Sequence, residues 1–193
     1  VVTVSHQGYI KRNPISLYRA QRRGGKGMTG VRPKAEDCVE LLFVASSHDT
    51  LLFFTNKGRV YWKKVHEIPE AGRTSRGKAI VNFLELQRGE RLATTLAVRD
   101  FEQGDYVVMA TRKGRVKKTE LKAYSRPMAR GIVAIRINPG DELISVRVSS
   151  EDQDIFMTTQ RGKSIRFRES DLRSMGRVAS GNIGIRLEDD DEV

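Results

Sequence analysis

Cysteine is almost absent from this chain of 193 residues. The single Cys38 excludes an internal disulfide framework and any multi-cysteine metal site. Flanked by Val39 and Leu41, it reads as a small core residue rather than a nucleophile. Histidine is also scarce. His6, His48 and His66 stand alone in turns or strands and form no acid–base or metal-binding set. Apolar residues make up only 38%, and no run approaches the ~20 residues of a membrane span. No charged-then-apolar leader opens the chain, which therefore reads as soluble and intracellular. No stretch holds a 3.6-residue period with caps, apart from short turns near 16–20 and 168–174, so helical classes are excluded. Acidic residues are the minority charge, with 24 Asp+Glu against 35 Lys+Arg and a net charge of +11. Five of those acids, Glu188, Asp189, Asp190, Asp191 and Glu192, sit in the last six residues, so the rest of the chain is more basic still. Such a balance suits a polyanionic partner through long-range attraction and counterion release, or a solvated basic surface.

The chain does contain a repeat. Residues 41–60, 91–116 and 143–165 each hold an apolar run, a polar turn, a second apolar run and a basic-Gly-basic turn. A partial copy, His6 to Lys11, opens the chain and matches Asn56 to Tyr61. The turn glycines Gly8, Gly58, Gly114 and Gly162 are separated by 50, 56 and 48 residues. A second glycine follows each of them: Gly25, Gly77, Gly131 and Gly181. Repetition at this period indicates propeller-like or solenoid architecture. The runs 51–55, 106–111 and 155–159 are β-branched and aromatic, and 47–49, 102–105 and 151–154 carry turn residues. Each repeat reads as four strands, one blade of an all-β array, with approximate repeats 1–40, 41–90, 91–142 and 143–193. The acidic end aligns Asp190 to Val193 with Gly140 to Leu143 and with Arg88 to Arg91, where new strands begin. It reads as the start of a further repeat, and both ends as cuts through a larger array.

The basic residues follow the same period. After the turn glycines come Lys11 and Arg12; Arg59, Lys63 and Lys64; Arg115, Lys117 and Lys118; and Lys163, Arg166 and Arg168. Before the second glycines come Arg19, Arg22 and Arg23; Arg73 and Arg76; Arg126 and Arg130; and Arg173 and Arg177. On blades related by rotation these clusters form an arc, which suits a bent duplex held by its phosphates. Any one cluster would also serve as a charged strand edge that deters aggregation. Enzyme signatures are weak. The run Gly24-Gly25-Lys26-Gly27 lacks the first glycine and the Ser/Thr of a phosphate loop. None of the five tyrosines has a nucleophile's surroundings.

The run Gln21-Arg22-Arg23-Gly24-Gly25-Lys26-Gly27 resembles, at all seven positions, the box that marks the C-terminal domain of the bacterial DNA gyrase A subunit. Ser5 to Tyr9 and the blade pattern extend that resemblance over essentially the whole chain. It implies a β-pinwheel of six four-stranded blades that exchange strands with their neighbours. Four of those blades are counted here. It also implies chiral wrapping of double-stranded DNA on a basic perimeter, for which the box is needed. The partners implied are the rest of the A subunit and the B subunit, in an A2B2 enzyme of the bacterial cytoplasm. The resemblance assigns strand passage, Mg²⁺ and ATP hydrolysis to other domains, leaving this chain with no cofactor. Two alternatives stay open. One is the related domain of topoisomerase IV, whose box is degraded or absent; the other is a basic propeller scaffold for acidic proteins. In the box, Gly24, Gly25 and Gly27 are expected to let the backbone approach a phosphate, and Arg22, Arg23 and Lys26 to supply charge.

Overall fold

The computed structural model describes residues 1–30, 37–150 and 152–193; Glu151, in the last of the turns named above, lies outside them. The strands are β1 (Val2–Ser5), β2 (Tyr9–Arg12), β3 (Val39–Phe43), β4 (Thr50–Thr55), β5 (Arg59–Lys64), β6 (Lys78–Ala79) and β7 (Leu92–Val98). They continue with β8 (Tyr106–Thr111), β9 (Arg115–Glu120), β10 (Ile132–Val133), β11 (Leu143–Ser149), β12 (Asp154–Thr158), β13 (Ser164–Arg168) and β14 (Asn182–Ile183). Among the described residues the only helical pieces are short 3-10 turns.

Four hairpins form the frame: β1–β2, β4–β5, β8–β9 and β12–β13. One turn chemistry makes all four. The turn glycine takes a positive φ, 78° at Gly8 and 81° at Gly114, where a side chain would be strained. A hydroxyl on the last residue before the turn accepts the amide just beyond that glycine. Ser5 takes Tyr9 at 3.2 Å, Thr55 takes Arg59 at 3.4 Å, Thr111 takes Arg115 at 3.1 Å and Thr159 takes Lys163 at 3.1 Å. A local side-chain bond of this kind competes with continued strand pairing and closes the turn.

The sheets do not follow the approximate repeat cuts. Their orders are β3-β1-β2-β6, β10-β5-β4-β7 and β11-β8-β9-β14, with β12-β13 as a two-stranded fourth. Each four-stranded sheet therefore borrows an outer strand from far downstream. Lys78 pairs with Ile10, Ile132 with Val60, and Asn182 with Val116, all antiparallel. The fold is an all-β pinwheel with exchanged strands.

Packing between neighbouring blades explains why β4 carries no polar alternation. All six residues of β4, Thr-Leu-Leu-Phe-Phe-Thr, are buried. Leu51 and Phe53 pack with Val2, Val4, Ile10 and Tyr61 between the first two blades. Leu52 and Phe54 pack with Val107, Met109, Leu121 and Tyr124 between the second and third. A strand covered on both faces favours a continuous apolar run of this kind. A smaller cluster, Val116, Met157, Leu172 and Ile185, joins the third blade to the fourth.

Three sequence expectations are corrected. Cys38 is exposed rather than in the core, because it enters β3 at a position where the backbone, not the side chain, is used: its carbonyl accepts the amide of His6 at 2.8 Å. The second glycine of the first repeat is Gly27, not Gly25. Gly27 has φ 70°, as Gly131 has 67° and Gly181 has 79°, whereas Gly25 is not in that region. The turn bonds agree in the second and fourth repeats, where Ser75 N–H reaches Gly72 O and Ala179 N–H reaches Gly176 O as Gly25 reaches Arg22; the third repeat has a shorter turn, closed from Gly131 N–H to Met128 O. The acidic end is part of the repeat, but the second repeat shifts by one. Asn56 N–H meets Arg91 O where Arg112 meets Glu142 O and Gln160 meets Glu192 O. Glu90 is thus the counterpart of Asp141 and Asp191. The Asp191 carboxylate accepts the amides of Arg161 at 3.1 Å and Glu192 at 2.9 Å, as Asp141 accepts those of Lys113 and Glu142.

Candidate nucleic-acid interface

The seven-residue box is an exposed loop closed at its base by its own first residue. The Gln21 side-chain amide donates to the Gly27 carbonyl at 3.1 Å, and its oxygen accepts the Gly27 amide at 2.9 Å. Inside the clasp, Gly25 N–H to Arg22 O at 3.0 Å tightens the turn. A Cβ on Gly25 would stand 2.6 Å from Gln21 Oε1, so the role of this glycine is to let the clasp close. Gly24 and Gly27 have positive φ, and a Cβ on either would meet nothing within 4 Å; Gln21 takes both the amide and the carbonyl of Gly27, so it is the Gly24 backbone that stands open to a phosphate. Arg22, Arg23 and Lys26 are all exposed. The loop therefore carries three cations on a short pre-shaped backbone, which lowers the entropy of ordering it on a ligand.

With Gly27 as the reference glycine, the repeat places Arg22 with Arg126, Lys26 with Arg76 and Arg130, and Arg23 with Arg73 and Arg177. Arg126 and Arg130 are exposed, as are Lys64, Lys163, Arg166, Arg168 and Arg173. Lys163 pairs with Glu188, and Arg166 with Asp154 at 2.9 Å. Both pairs lie at the surface, where such contacts are weak and readily exchanged for a phosphate.

A second group is half-buried and engaged with protein. Arg12 donates to Ile68 O at 2.8 Å and Glu70 at 2.9 Å. Arg59 donates to Arg130 O at 2.6 Å and Gly131 O at 3.0 Å, and Arg115 to Ser180 O at 3.0 Å and Gly181 O. Arg73 reaches Thr29 O, and Arg177 reaches Val133 O at 2.6 Å. Arg76 lies over the Tyr9 ring, 3.5 Å from its centroid, and Lys63 pairs with Glu67 at 3.8 Å.

Lys11, Lys117 and Lys118, expected among the DNA contacts, are instead buried and turned to protein. They are 1%, 1% and 4% exposed. Lys117 Nζ donates to the carbonyls of Ala134 at 2.6 Å, Arg177 at 2.6 Å and Gly176 at 3.3 Å. Lys11 Nζ meets those of Gly30 at 2.8 Å, Gly72 at 3.1 Å and Arg73. Lys118 faces Glu169 at 3.2 Å and stands over the Tyr106 ring. Burial, reinforced by the nearby Arg177 charge, pushes the Lys117 ammonium down to about 7. These lysines join blades to one another.

Charge counting missed Arg136 and Arg186, both exposed and each three residues past the end of a borrowed strand. The recurrence of Ile-Arg at 135–136 and 185–186 was the available signal. Among the described residues no group of His, Cys, Asp and Glu has metal-binding geometry, and no helix is long and apolar enough to cross a membrane.

This arrangement has close counterparts. The chain is 50% identical over its full length to the DNA gyrase A subunit of Salmonella typhimurium and 48% identical to that of Staphylococcus aureus, and spans 22% of each. The chain thus covers about a fifth of the length of these relatives. A crystal structure of the C-terminal domain of DNA topoisomerase IV superposes with TM-score 0.84 at 30% identity, covering 99% of this chain and 58% of that one. A DNA gyrase A C-terminal domain structure superposes at 0.75 with 22% identity, covering 99% and 61%. The family described as "DNA gyrase C-terminal domain, beta-propeller" matches residues 1–47, 49–99, 105–150 and 153–193, and the chain belongs to that family.

Proposed function

We propose that this chain binds double-stranded DNA by its phosphates and wraps it with one hand around a basic perimeter. In the parent gyrase the wrap would present a segment of the same DNA for strand passage, so that negative supercoils are introduced. The observation that carries this reading is the clasped box: three exposed cations on a loop pinned at its base by Gln21, with Arg126 and Arg130 likewise exposed in the third repeat. Guanidinium groups bind phosphate in a bidentate way, and such contacts hold a duplex without reading its bases. The partners are DNA, the rest of the gyrase A subunit and the B subunit of an A2B2 enzyme in the bacterial cytoplasm. Catalysis, Mg²⁺ and ATP would be supplied by other domains, and no cofactor would be held here.

The test is ligation of nicked circular DNA with the protein bound, followed by resolution of the topoisomers. Wrapping shifts the linking number with one sign. A distribution that stays centred at saturating protein rejects it. A topoisomerase IV-type role, favoured by the likeness in fold, predicts binding with little shift, and the intact box argues for the gyrase role.

A further inference from the structure

Beneath the box lies a joint. Lys11 projects from β2 and places its ammonium among three carbonyls: Gly30, three residues beyond the box, and Gly72 and Arg73 of the next blade. Arg73 reaches back to the carbonyl of Thr29. The two cations thus lock the outgoing end of the box to the strap of the second blade. An ammonium has three protons and here meets three acceptors, so Lys11 has nothing left to offer a phosphate.

We propose that Lys11 and Arg73 are positioning residues that fix the direction in which the box meets DNA relative to the second blade. The inference rests on the wrapping reading above. Affinity for a polyanion depends on how many phosphates are neutralised. The sign and size of a wrap depend instead on the angle between successive contacts. A box on a loose stem would keep its cations while losing its bearing. The third and fourth repeats supply an internal comparison. Lys117 binds the carbonyls of Ala134, Gly176 and Arg177, and Arg177 binds Val133 O at 2.6 Å. That joint is built in the same way and carries no box.

The experiment is the nicked-circle assay on the intact protein, with DNA affinity and thermal midpoint measured on the same samples. Lys11→Met and Lys117→Met should lower the midpoint alike. Lys11→Met should reduce the linking-number shift by about half or more, while affinity stays within about threefold because no phosphate contact is lost. Lys117→Met should keep the shift. If Lys11→Met does not fold, Arg73→Met carries the test, since it leaves the lysine in place and removes only the hold on Thr29; it too should lose shift out of proportion to affinity. Equal shifts for Lys11→Met, Arg73→Met and the parent, or equal loss in Lys117→Met, overturn the inference. Replacing Arg22, Arg23 and Lys26 together by Ala separates the two failures. If that variant keeps its shift, wrapping through the box is wrong. If it loses the shift while Lys11→Met and Arg73→Met retain it, only the positioning role is wrong.

Discussion

The indole N–H of Trp62 donates to the carbonyl oxygen of Tyr124 across 2.7 Å in a fully buried site. The Tyr124 hydroxyl in turn donates to the Ala134 carbonyl at 3.0 Å, which also receives Lys117. A run of hydrogen bonds therefore passes from the second blade to the third through the apolar core. Burial holds the Tyr124 phenol well above its usual range, so it remains a donor at all working pH values.

Trp62→Phe should leave the Tyr124 carbonyl unpaired in a dry site, at a cost of about 1–3 kcal/mol. Chemical denaturation should show a lower midpoint, and DNA affinity should not change. A loss of affinity with an unchanged midpoint would mean that Trp62 meets DNA rather than the core.

Gly25→Ala should open the box without unfolding the blades. Its Cβ would collide with Gln21 Oε1, and the loop lies outside every core cluster. Thermal stability is expected to change by less than about 0.5 kcal/mol, as for surface changes, while the topoisomer shift falls as in Gln21→Ala. Similar shifts for Gly25→Ala and the parent would show that the clasp is dispensable.

Salt should separate exposed cations from buried ones. The slope of log affinity against log salt changes by roughly 0.9 for each phosphate contact removed. Arg126→Ala and Arg130→Ala should each make the slope shallower by about that amount. Lys118→Met should leave it unchanged, because that ammonium faces Glu169 and Tyr106. Titrations from low to moderate salt give the slopes directly.

Acid should loosen the turns. Burial works against ionisation of Asp37, but the amides of Gln7 and Cys38, the Ser5 hydroxyl and the Arg76 charge outweigh it and hold its carboxyl below the ordinary 3.8. Asp191 is held low in the same way by Thr159, the amides of Arg161 and Glu192, and the Arg161 charge. A carboxyl lowered on folding stabilises the fold above its unfolded value, and that contribution disappears as pH falls through the folded value. Melting temperature should therefore drop below about pH 4. Asp37→Asn should make that acid limb less steep, and an unchanged limb would count against this account.

The fold was largely legible because Gly8, Gly58, Gly114 and Gly162 mark a turn that recurs with its hydroxyl, and in the last three with basic residues on both sides. The box was legible as a string of residues, and its three cations are exposed. Burial was not legible for lysine. In β9, Lys117 and Lys118 point to opposite faces, and both are covered because strands of this fold are sandwiched between blades. A pattern of charge says nothing about carbonyls that arrive from residues 134, 176 and 177. The position of Gly27 was hidden for a related reason, since three glycines crowd the box, two of them with positive φ, and the clasp to Gln21 picks out Gly27.

The borrowed outer strands make the domain a row of overlapping clasps, like tiles each nailed through the edge of the one before. To open the first blade, Lys78–Ala79 must leave Tyr9–Ile10, and those two residues lie in the chain between the second hairpin, β4–β5, and its partner β7. Force applied along wrapped DNA would therefore be shared across joints instead of peeling one blade at a time. Since the second, third and fourth repeats lend the same piece, one repeat inserted among them would meet the pairing it needs on both sides, so arrays of different lengths are within reach of simple duplication.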